Sequence, residues 1–370
     1  MRVLIDASSL LLRSAGIKNY TYHWIRHLRL LAGEEAVRAF PLIGRFGPLD
    51  HERSVVSRAG TVPRLGLLYL TNVTPLPVLD LLTRGIDVFH CSNQVRRVPR
   101  GKRLTATVHD MTCWLREDVH TAANVRADRN FADVVLKRAD GLVAVSENTK
   151  RDTVRLLGVA PEKVEVIYPG IAEPFFHTTE AGAQEVRSRY GLQRPYVLYV
   201  GTVEPRKNLD GLIEAYRRLK PDVRDAFDLV VVGPVGWAAG ETISRLKSSD
   251  GGIRYLGYIP EDDLPHLTRG ATVFAYPSLY EGFGFPIAQA MAAGVPVVTS
   301  NLSSMPEVAG EAAVYADPKS CEEITGALES LLTSPSLRER LSRCGVDRAQ
   351  QFRWELCACR SLEFFERICG

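Results

Sequence analysis

Short aliphatic and β-branched runs alternate with amphipathic stretches along nearly the whole chain. Helical patterns occupy residues 18–31, 124–139, 147–157, 207–220 and 286–293. Between them we predict strands at residues 2–6, 86–90, 104–108, 141–145, 196–201, 228–233, 252–256, 272–276 and 296–300. Because these strands are apolar on both faces, the alternation predicts parallel sheets with helices on both sides, an α/β architecture.

The rhythm breaks once, at 167–182, where the segment IYPGIAEPFFHTTEAG is rich in proline, glycine and threonine. We place a domain boundary there, which gives an N-terminal domain of residues 1–170 and a C-terminal domain of residues 171–352. From residue 320 onward the pattern is helical. Ligands of doubly wound sheets bind beyond the carboxyl ends of the strands, so the residues after each strand are the candidates for chemistry.

The segment SLYEGFGFPIAQAMAAGVPVVTSN, residues 278–301, combines a glutamate with a glycine loop and a helix start. Gly282 and Gly284 permit backbone conformations closed to other residues, Pro286 suits a first helical turn, and Gly294 suits a helix end. The loop would present N–H groups at a helix N-terminus, with Glu281 beside them in a crevice reached by solvent. That pairing suits a sugar joined to a phosphate, and the alternative is a helix start that only needs glycines to turn.

Two cations follow the predicted strand 196–201. Arg206 and Lys207 precede Asn208, which has the residue type of an N-cap. The helix dipole disfavours cations at that end, so the arrangement needs compensation, which a bound phosphate would supply. A salt-bridged surface loop is the alternative.

Weaker signals follow two N-terminal strands. Gly16 precedes the helical pattern 18–31 and fits either an anion site or an ordinary turn. His109 and Asp110 follow the strand 104–108. A histidine there can contact a ligand or move a proton, or it can be a core or capping residue.

Charge is unevenly distributed. The net charge is +3, but residues 1–170 carry 25 Lys and Arg against 17 Asp and Glu, a net charge of +8, and residues 171–370 carry a net charge of −5. The densest basic patch is RRVPRGKR at 96–103. It is either a solvated loop or a contact for an anionic partner or membrane surface.

The seven cysteines are scattered and form no zinc-ribbon spacing, and their odd number argues against a disulfide framework. No apolar run approaches the roughly 20 residues of a spanning helix. We therefore expect a cytoplasmic protein.

Several of these motifs, in this order, resemble the group-one glycosyltransferases, family four of the retaining enzymes. The resemblance rests on TATVHDM, GTVEPRKNLDGLIEAY, YLGYIPEDDLPHL, the 278–301 segment and SSMPEVAGEAAVYADP, with SAGIKNYTYHWIRHL near the N-terminus. It implies the GT-B fold, in which two Rossmann-like domains face a crevice. It also implies that the last helix, 353–368 within a returning segment 353–370, crosses back to the N-terminal domain.

The resemblance further implies transfer of a sugar from a nucleotide donor, without a metal or other cofactor, to an acceptor hydroxyl. Bacterial mannosyltransferases of surface polysaccharide biosynthesis are the most similar members, so GDP-mannose is the first expected donor and a UDP-sugar the second. The acceptor is expected to be a glycan, a lipid-linked carrier or another hydroxyl compound bound by the basic N-terminal domain. Peripheral contact with an anionic inner membrane face is expected, and a nucleic-acid partner is not.

Carried over position by position, the resemblance assigns catalytic roles to Glu281, His109, Arg206 and Lys207 and acceptor binding to Asp110. Glu281 would hold donor sugar hydroxyls, Arg206 and Lys207 would clamp the diphosphate, and His109 would touch the sugar near the reacting carbon. The donor-binding set is Gly16, Arg206, Lys207, Gly257, Tyr258, Glu281, Gly282, Phe283, Gly284, Phe285 and Gln289.

Gln289 departs from the family, which usually has a second glutamate there to hold the ribose hydroxyls. The departure leaves open a sugar-nucleotide sensor without turnover, and a nucleotide-sugar epimerase of the same fold is a further alternative. An inverting enzyme would need Asp110 or His109 as a base.

Overall fold

The computed structural model describes residues 1–13, 16–50, 53–74, 77–92, 94–236, 239–247 and 252–370. Within them the chain forms two compact units. Unit 1 comprises Met1–Gly170 and Trp354–Gly370, and unit 2 comprises Ile171–Arg353. Ser14 and Ala15, in the predicted glycine turn before the first helix, lie outside the described residues.

Twelve strands are present in the described residues. They are β1 (Val3–Asp6), β2 (Val37–Phe40), β3 (Val88–Cys91), β4 (Arg103–Val108), β5 (Gly141–Ala144), β6 (Val164–Val166), β7 (Tyr196–Val200), β8 (Asp228–Val232), β9 (Ile253–Gly257), β10 (Val273–Tyr276), β11 (Val297–Ser300) and β12 (Ala313–Ala316).

The α-helices of the described residues are α1 (Gly16–Ala32), α2 (Arg58–Val73), α3 (Val78–Leu82), α4 (Thr112–Leu115), α5 (Ala122–Val134), α6 (Glu147–Leu157), α7 (Glu180–Arg189), α8 (Leu209–Arg217), α9 (Pro221–Ala226), α10 (Gly240–Lys247), α11 (Leu264–Arg269), α12 (Phe285–Ala292), α13 (Met305–Ala309), α14 (Cys321–Thr333), α15 (Pro335–Ala349) and α16 (Trp354–Cys369). Short 3₁₀ helices connect several of these elements, among them Leu136–Arg138 and Pro205–Lys207.

Unit 1 is built on a six-stranded parallel sheet in the order β2-β1-β3-β4-β5-β6. Every residue of β1, β3 and β5 is buried, as expected for strands covered on both faces. One large apolar core lies against this sheet and includes Phe89 and Leu142. The carboxyl ends of β1, β3 and β4 therefore meet at one edge of the sheet.

The C-terminal helix α16 belongs to unit 1, as the family resemblance implied. Its buried residues recur at spacings of three and four, the pattern of a helix with one apolar face. Trp24 of α1 donates its indole N–H to the Ser361 hydroxyl at 2.9 Å. A Cβ atom at Gly141 of β5 would lie 2.8 Å from the Phe364 ring, so the helix approaches this strand closely.

Unit 2 repeats the plan with a six-stranded parallel sheet in the order β12-β11-β10-β7-β8-β9. The central strands β7, β8 and β10 are almost fully buried. The predicted α/β architecture with two parallel sheets is thus confirmed.

All nine predicted strands are present, with ends shifted by two residues at most. Three further strands, β2, β6 and β12, were not predicted. The predicted helix 207–220 is wrong at its start, because Pro205–Lys207 is a 3₁₀ turn and α8 begins only at Leu209. The predicted helix 124–139 likewise ends as α5 at Val134 and continues as the 3₁₀ turn Leu136–Arg138.

Candidate active site

The strongest candidate site lies at the carboxyl ends of β7 and β10, which are neighbours in the unit 2 sheet. After β7 the chain enters the 3₁₀ turn Pro205–Lys207, and after β10 it runs through residues 277–284 into α12. These two connections bring Arg206 and Lys207 against Glu281, although the glutamate lies 74 residues from Lys207.

Glu281 is held by four side chains through both of its carboxylate oxygens. Its Oε1 accepts hydrogen bonds from Lys207 Nζ at 2.6 Å, the Ser278 hydroxyl at 2.8 Å and the Tyr276 hydroxyl at 3.0 Å. Its Oε2 pairs with Arg206 Nη1 at 3.0 Å. The residue is only 7% exposed, so this carboxylate is a buried centre of the site.

Arg206 bridges two carboxylates. Its Nη2 donates to Glu204 Oε1 at 2.7 Å, and its Nη1 donates to the Tyr280 carbonyl at 2.8 Å besides pairing with Glu281. Lys207 gives two of its three N–H donors to Glu281 and to the Tyr276 hydroxyl, the latter at 2.6 Å. The cluster therefore contains two cations and two carboxylates whose charges balance.

The electrostatics of the cluster keep Glu281 ionised. Burial alone would raise its pKa, but Arg206, Lys207 and the Ser278 hydrogen bond outweigh burial and lower the pKa to about 2. Burial lowers the pKa of Lys207, with Arg206 acting in the same direction and Glu281 opposing it. Burial also raises the pKa of Tyr276 well above its usual value, so its hydroxyl remains a donor.

Two steps in the sequence reasoning about this cluster were wrong, while the phosphate contact itself stays a prediction. The charges of Arg206 and Lys207 are already compensated by Glu281 and Glu204, so their position before a helix does not by itself require a bound phosphate. Glu281 was expected in a crevice reached by solvent, but it is buried. A buried carboxylate is tolerated here because cations and hydroxyls satisfy it, which sequence spacing does not reveal.

Asn208 was expected to cap α8 with its side chain. It does occupy the N-cap position, in a left-handed conformation with φ of 56°, but its side chain makes no capping bond. Its Nδ2 instead donates to the carbonyls of Pro277 and Pro318 at 3.0 and 2.7 Å. Asn208 thus links two segments by hydrogen bonds: the turn that contains Arg206 and Lys207, and the connection that follows β10.

Hydrogen bonds with Ser303 and Ser304, just before α13, hold the glycine loop at residues 281–284 in place. Ser304 donates its hydroxyl to the carbonyls of Glu281 and Phe283, both at 2.9 Å, and the Glu281 N–H donates to the Ser303 hydroxyl at 3.0 Å. Gly284 has φ of 99° and is the N-cap of α12. Gly282 has no positive φ, so of the two predicted loop glycines only Gly284 needs the left-handed region.

Helix α12 starts and stops as predicted. Pro286 lies in its first turn, and Gly294, with φ of 73°, follows its end. Phe285 begins the helix and lies next to the buried Phe283, with the two rings 5.3 Å apart. Gln289 is partly exposed one turn later. The first N–H groups of such a helix lie outside its hydrogen-bond ladder and favour an anion.

Gly257 and Tyr258 lie at the carboxyl end of β9, two strands away from β7 in the same sheet. Gly257 has φ of 69°, and Tyr258 is 44% exposed. The structure therefore places them at the sheet edge that carries the charged cluster, but apart from it.

The predicted residues of unit 1 gather at the corresponding edge of its own sheet. A cavity of about 110 Å³ there is lined by residues at the ends of β1, β3 and β4 and on nearby helices. His109 and Asp110 line it together with Asp6, Ser92 and Trp114.

His109 is an uncharged side chain at neutral pH. Burial lowers its pKa to about 4, and the neighbouring Asp110 only partly opposes this shift. Its ring meets the Tyr20 ring edge-on with centroids 4.9 Å apart. The Asp110 Oδ1 accepts from the Thr112 N–H at 2.9 Å and from the Thr112 hydroxyl, so this carboxylate shapes the turn before α4.

Gly16 is the exposed first residue of α1. It has no positive φ, and a Cβ atom there would meet nothing within 4 Å. Neither the backbone conformation nor packing requires a glycine at this position.

Sequence reasoning missed several residues that build these sites. Asp6 is the last residue of β1 and Ser92 follows β3, and the two are joined by a hydrogen bond, so the strand-end rule could have found them. Glu204 stands two residues before Arg206 in the connection after β7, so the same strand-end rule could have found it. Tyr276, Ser278 and Ser304 gave none, because small hydroxyl residues near strand ends are common.

In the part of the chain that the structure describes, His, Cys, Asp and Glu side chains do not gather in threes as a metal site would require. Within the same residues, none of the helices combines the length and the apolar character needed to cross a membrane.

Two parallel Rossmann-like sheets, with the last helix returning to the first, define the GT-B fold of glycosyltransferases. The crystal structure of Anabaena Alr3699/HepE in complex with UDP-glucose is similar to this chain, with a TM-score of 0.75 and 17% sequence identity over 99% of this chain and 100% of that one. At that identity the likeness shows the fold.

Family models for Glycosyl transferases group 1 and Glycosyltransferase Family 4 match residues 184–347 and 15–173. The O-antigen chain mannosyltransferase B of Escherichia coli is 34% identical over 73% of this chain and 71% of its own length. This chain belongs to the group 1 glycosyltransferases and is a glycosyltransferase.

The serotype-specific mannosyltransferase WbdA of Escherichia coli is 29% identical over 86% of this chain. The match spans only 39% of that relative's length.

Proposed function

We propose that the protein is a retaining mannosyltransferase of surface polysaccharide assembly, which moves mannose from a nucleotide-diphosphate donor to an acceptor hydroxyl. GDP-mannose is the first donor proposed and a UDP-sugar the second. The observation that carries the proposal is the buried Glu281 carboxylate, which forms ion pairs with Lys207 and Arg206 beyond the carboxyl ends of β7 and β10. The names of the mannosyltransferase relatives support the choice of sugar.

The chemistry requires a stabilised leaving group. As the glycosidic bond breaks, negative charge grows on the departing diphosphate, and fixed cations stabilise that charge most when they are already oriented. Glu281 and Glu204 orient Arg206 and Lys207 in this way. The N-terminus of α12 adds a partial positive charge beside them.

Because Lys207 gives two of its N–H donors to Glu281 and Tyr276, a phosphate oxygen can take the third without dismantling the cluster. In this proposal Glu281 also accepts hydrogen bonds from donor sugar hydroxyls, and Gln289 contacts the ribose. The acceptor hydroxyl attacks the sugar from the face that the diphosphate leaves, and it loses its proton to the departing phosphate oxygen. This route needs no protein base.

The neutral state of His109 suits contact with a sugar hydroxyl, since an imidazole both donates and accepts. We place the acceptor at unit 1, where His109 and Asp110 line the cavity at the strand ends. A cytoplasmic location and contact with an anionic membrane surface complete the proposal. The net charge of +8 on residues 1–170 supports the membrane contact.

The decisive experiment replaces Lys207. We expect Lys207→Ala to lower turnover of nucleotide sugar by about tenfold or more, equivalent to roughly 1.4 kcal/mol of barrier. The control is Lys220→Ala in the same unit, whose side chain is 72% exposed and pairs only loosely with Glu329. Unchanged turnover in a folded Lys207→Ala protein would refute the phosphate assignment.

A thermal-shift screen against GDP- and UDP-sugars identifies the donor. A donor at 100 times its dissociation constant adds about 2.7 kcal/mol to the free energy of unfolding. NMR of the product then determines the anomeric configuration, and an inverted product would contradict the retaining mechanism.

A further inference from the structure

The cavity at the strand ends of unit 1 is acidic, although the N-terminal part of the chain is basic. Three carboxylates line it, those of Asp6, Asp110 and Asp128. Among the described residues that line it, none is a lysine or an arginine. Residues 1–170 carry a net charge of +8, so the cations that produce this excess lie away from the cavity. The charge of the domain therefore does not predict the charge of the ligand that this cavity takes.

The two histidines of the cavity wall do not offset the negative charge. Burial lowers the pKa of His90 to about 3 and that of His109 to about 4, so both rings are uncharged at neutral pH. The His90 ring lies between two hydroxyls, with Nδ1 3.0 Å from Thr105 Oγ1 and Nε2 3.0 Å from Thr107 Oγ1. The charges left among the described lining residues are those of the carboxylates.

Uncharged groups donate hydrogen bonds to these carboxylates. Asp128 Oδ2 accepts from the Cys113 thiol at 2.8 Å, and Asp110 Oδ1 accepts from the Thr112 N–H at 2.9 Å. Such donors fix the direction of a carboxylate without cancelling its charge. Burial raises the pKa of Asp6, so Asp110 and Asp128 supply most of the negative charge at neutral pH.

The rest of the cavity wall suits a sugar. The Tyr20 hydroxyl is buried, and within the described residues it has no hydrogen-bond partner of normal geometry, although Thr107 lies close. Met111, Trp114 and Phe131 add apolar surface to the same cavity. A sugar presents C–H groups to such surface, and its hydroxyls donate to carboxylates and supply a partner for a buried hydroxyl.

We propose that this cavity takes an acceptor whose reacting end carries no anionic group, and that Asp110 and Asp128 exclude phosphorylated and carboxylated sugars. An anion there would face both carboxylates, and the described wall residues offer it no cation. Like charges at short range disfavour binding, and such repulsion is a common source of specificity. A diphosphate-linked acceptor remains compatible where its diphosphate lies away from the attacking hydroxyl.

This inference rests on the proposed function in placing the acceptor at this cavity. Its test compares three probes: methyl mannoside, its 6-phosphate and its 6-O-acetyl ester, which adds a substituent without charge. Transfer from GDP-mannose gives kcat/KM for each probe, and saturation-transfer NMR measures binding of the same probes without turnover. We expect the ester to stay within about threefold of methyl mannoside and the phosphate to be poorer by about tenfold or more.

Asp128→Asn removes one negative charge with little change in size, and Asp110→Asn is the second variant if the first does not fold. We expect either variant to reduce the discrimination against the phosphate by about threefold or more. The matched control is Asp133→Asn on the same helix, whose side chain is 66% exposed, pairs with Lys137 and does not line the cavity. The discrimination should change by less than about 1.5-fold in this control, because solvent screens an exposed charge.

Thermal melts establish which variants are folded. Equal values of kcat/KM, or of affinity, for methyl mannoside and its phosphate overturn the inference. An ester rejected as strongly as the phosphate also overturns it, since size would then decide. Discrimination unchanged in a folded Asp128→Asn or Asp110→Asn protein has the same effect, as does a wild type that binds none of the probes.

The same measurements separate this inference from the proposed function. Transfer to the phosphate as efficient as transfer to methyl mannoside would support the mannosyltransferase and overturn the inference. Binding that discriminates against the phosphate, without mannose transfer to any probe, would support the inference and contradict the proposed reaction.

Discussion

At the scale of single residues, Glu281 shows how one buried carboxylate organises a site. It satisfies two cations and accepts from two hydroxyls, and its backbone is held by Ser303 and Ser304. Its side chain therefore belongs to the stability of the fold as well as to the chemistry we propose. Its contribution to the stability of the fold can be measured through the pH dependence of unfolding.

We expect Glu281→Gln to lower the free energy of unfolding by about 3 kcal/mol at neutral pH, because it leaves Arg206 and Lys207 without their central partner. The folded pKa of Glu281 is about 2, below the ordinary value of 4.5, so its contribution is fully present above pH 4.5 and disappears as the pH falls toward 2. Urea unfolding of wild type and variant should show their difference shrinking over that range.

Glu241→Gln is the matched control, since that glutamate side chain is 81% exposed. We expect a change below about 0.5 kcal/mol from it. A stability gap between Glu281→Gln and wild type that stays constant from pH 7 to pH 3 would contradict the assigned pKa.

At the scale of elements, two helix starts carry glycines for different reasons. Gly284 precedes α12 in the left-handed region with φ of 99°, and an added Cβ would lie 3.3 Å from Ile287 Cδ1. Gly16 begins α1 with open space around it. The backbone conformation therefore favours glycine at position 284, whereas the conformation at position 16 does not.

Gly284→Ala should therefore cost about 1–2 kcal/mol of stability, because a side chain is strained in that conformation. Gly16→Ala should range from no change to a gain of about 1 kcal/mol, because alanine is the better helix former. Thermal melts of the two variants give the comparison directly. Equal losses in both would mean that the conformation of Gly284 does not set its cost.

The strands that escaped prediction share one position in the fold. β2, β6 and β12 are all edge strands, and each of them has at least one residue that is not buried. Central strands such as β8, DLVVV, are buried throughout and stand out as apolar runs. The sequence pattern therefore records mainly burial on both faces, and three of the four edge strands resemble loops; the fourth, β9, was predicted although it is only partly buried.

Only part of the candidate site could be predicted from the sequence. Residues in the connections that follow central strands, such as Arg206 and Lys207 after β7, could be selected by position. Their ion pairs with Glu281 could not, because the partner lies more than 70 residues away and only the sheet order brings β7 beside β10. Because the partners of Glu281 could not be identified from the sequence, its burial was not predicted either.

At the scale of the whole molecule, unit 1 depends on residues from both ends of the chain. Trp354 is 2% exposed, and its ring stacks on His23 with centroids 5.6 Å apart. We expect Trp354→Ala to cost about 3–5 kcal/mol, the range for truncating a buried aromatic residue. Hydrogen exchange should show the loss of protection concentrated in residues 1–170.

Leu356→Ala on the same helix is the control, because that leucine is 46% exposed and should change protection little. Equal loss of protection in unit 1 and in residues 171–353 would mean that α16 does not stabilise unit 1 selectively.

The return of α16 to unit 1 also has a consequence for biosynthesis. A ribosome produces residues 1–170 first, but α16, which covers Trp24 and His90 of that unit, emerges only after the whole of unit 2. Unit 2 is contiguous, from Ile171 to Arg353, and can complete its core while the protein is still being made. The unit that is translated second is thus the first that can finish folding, and the nascent first unit keeps an uncovered apolar face until α16 has also emerged.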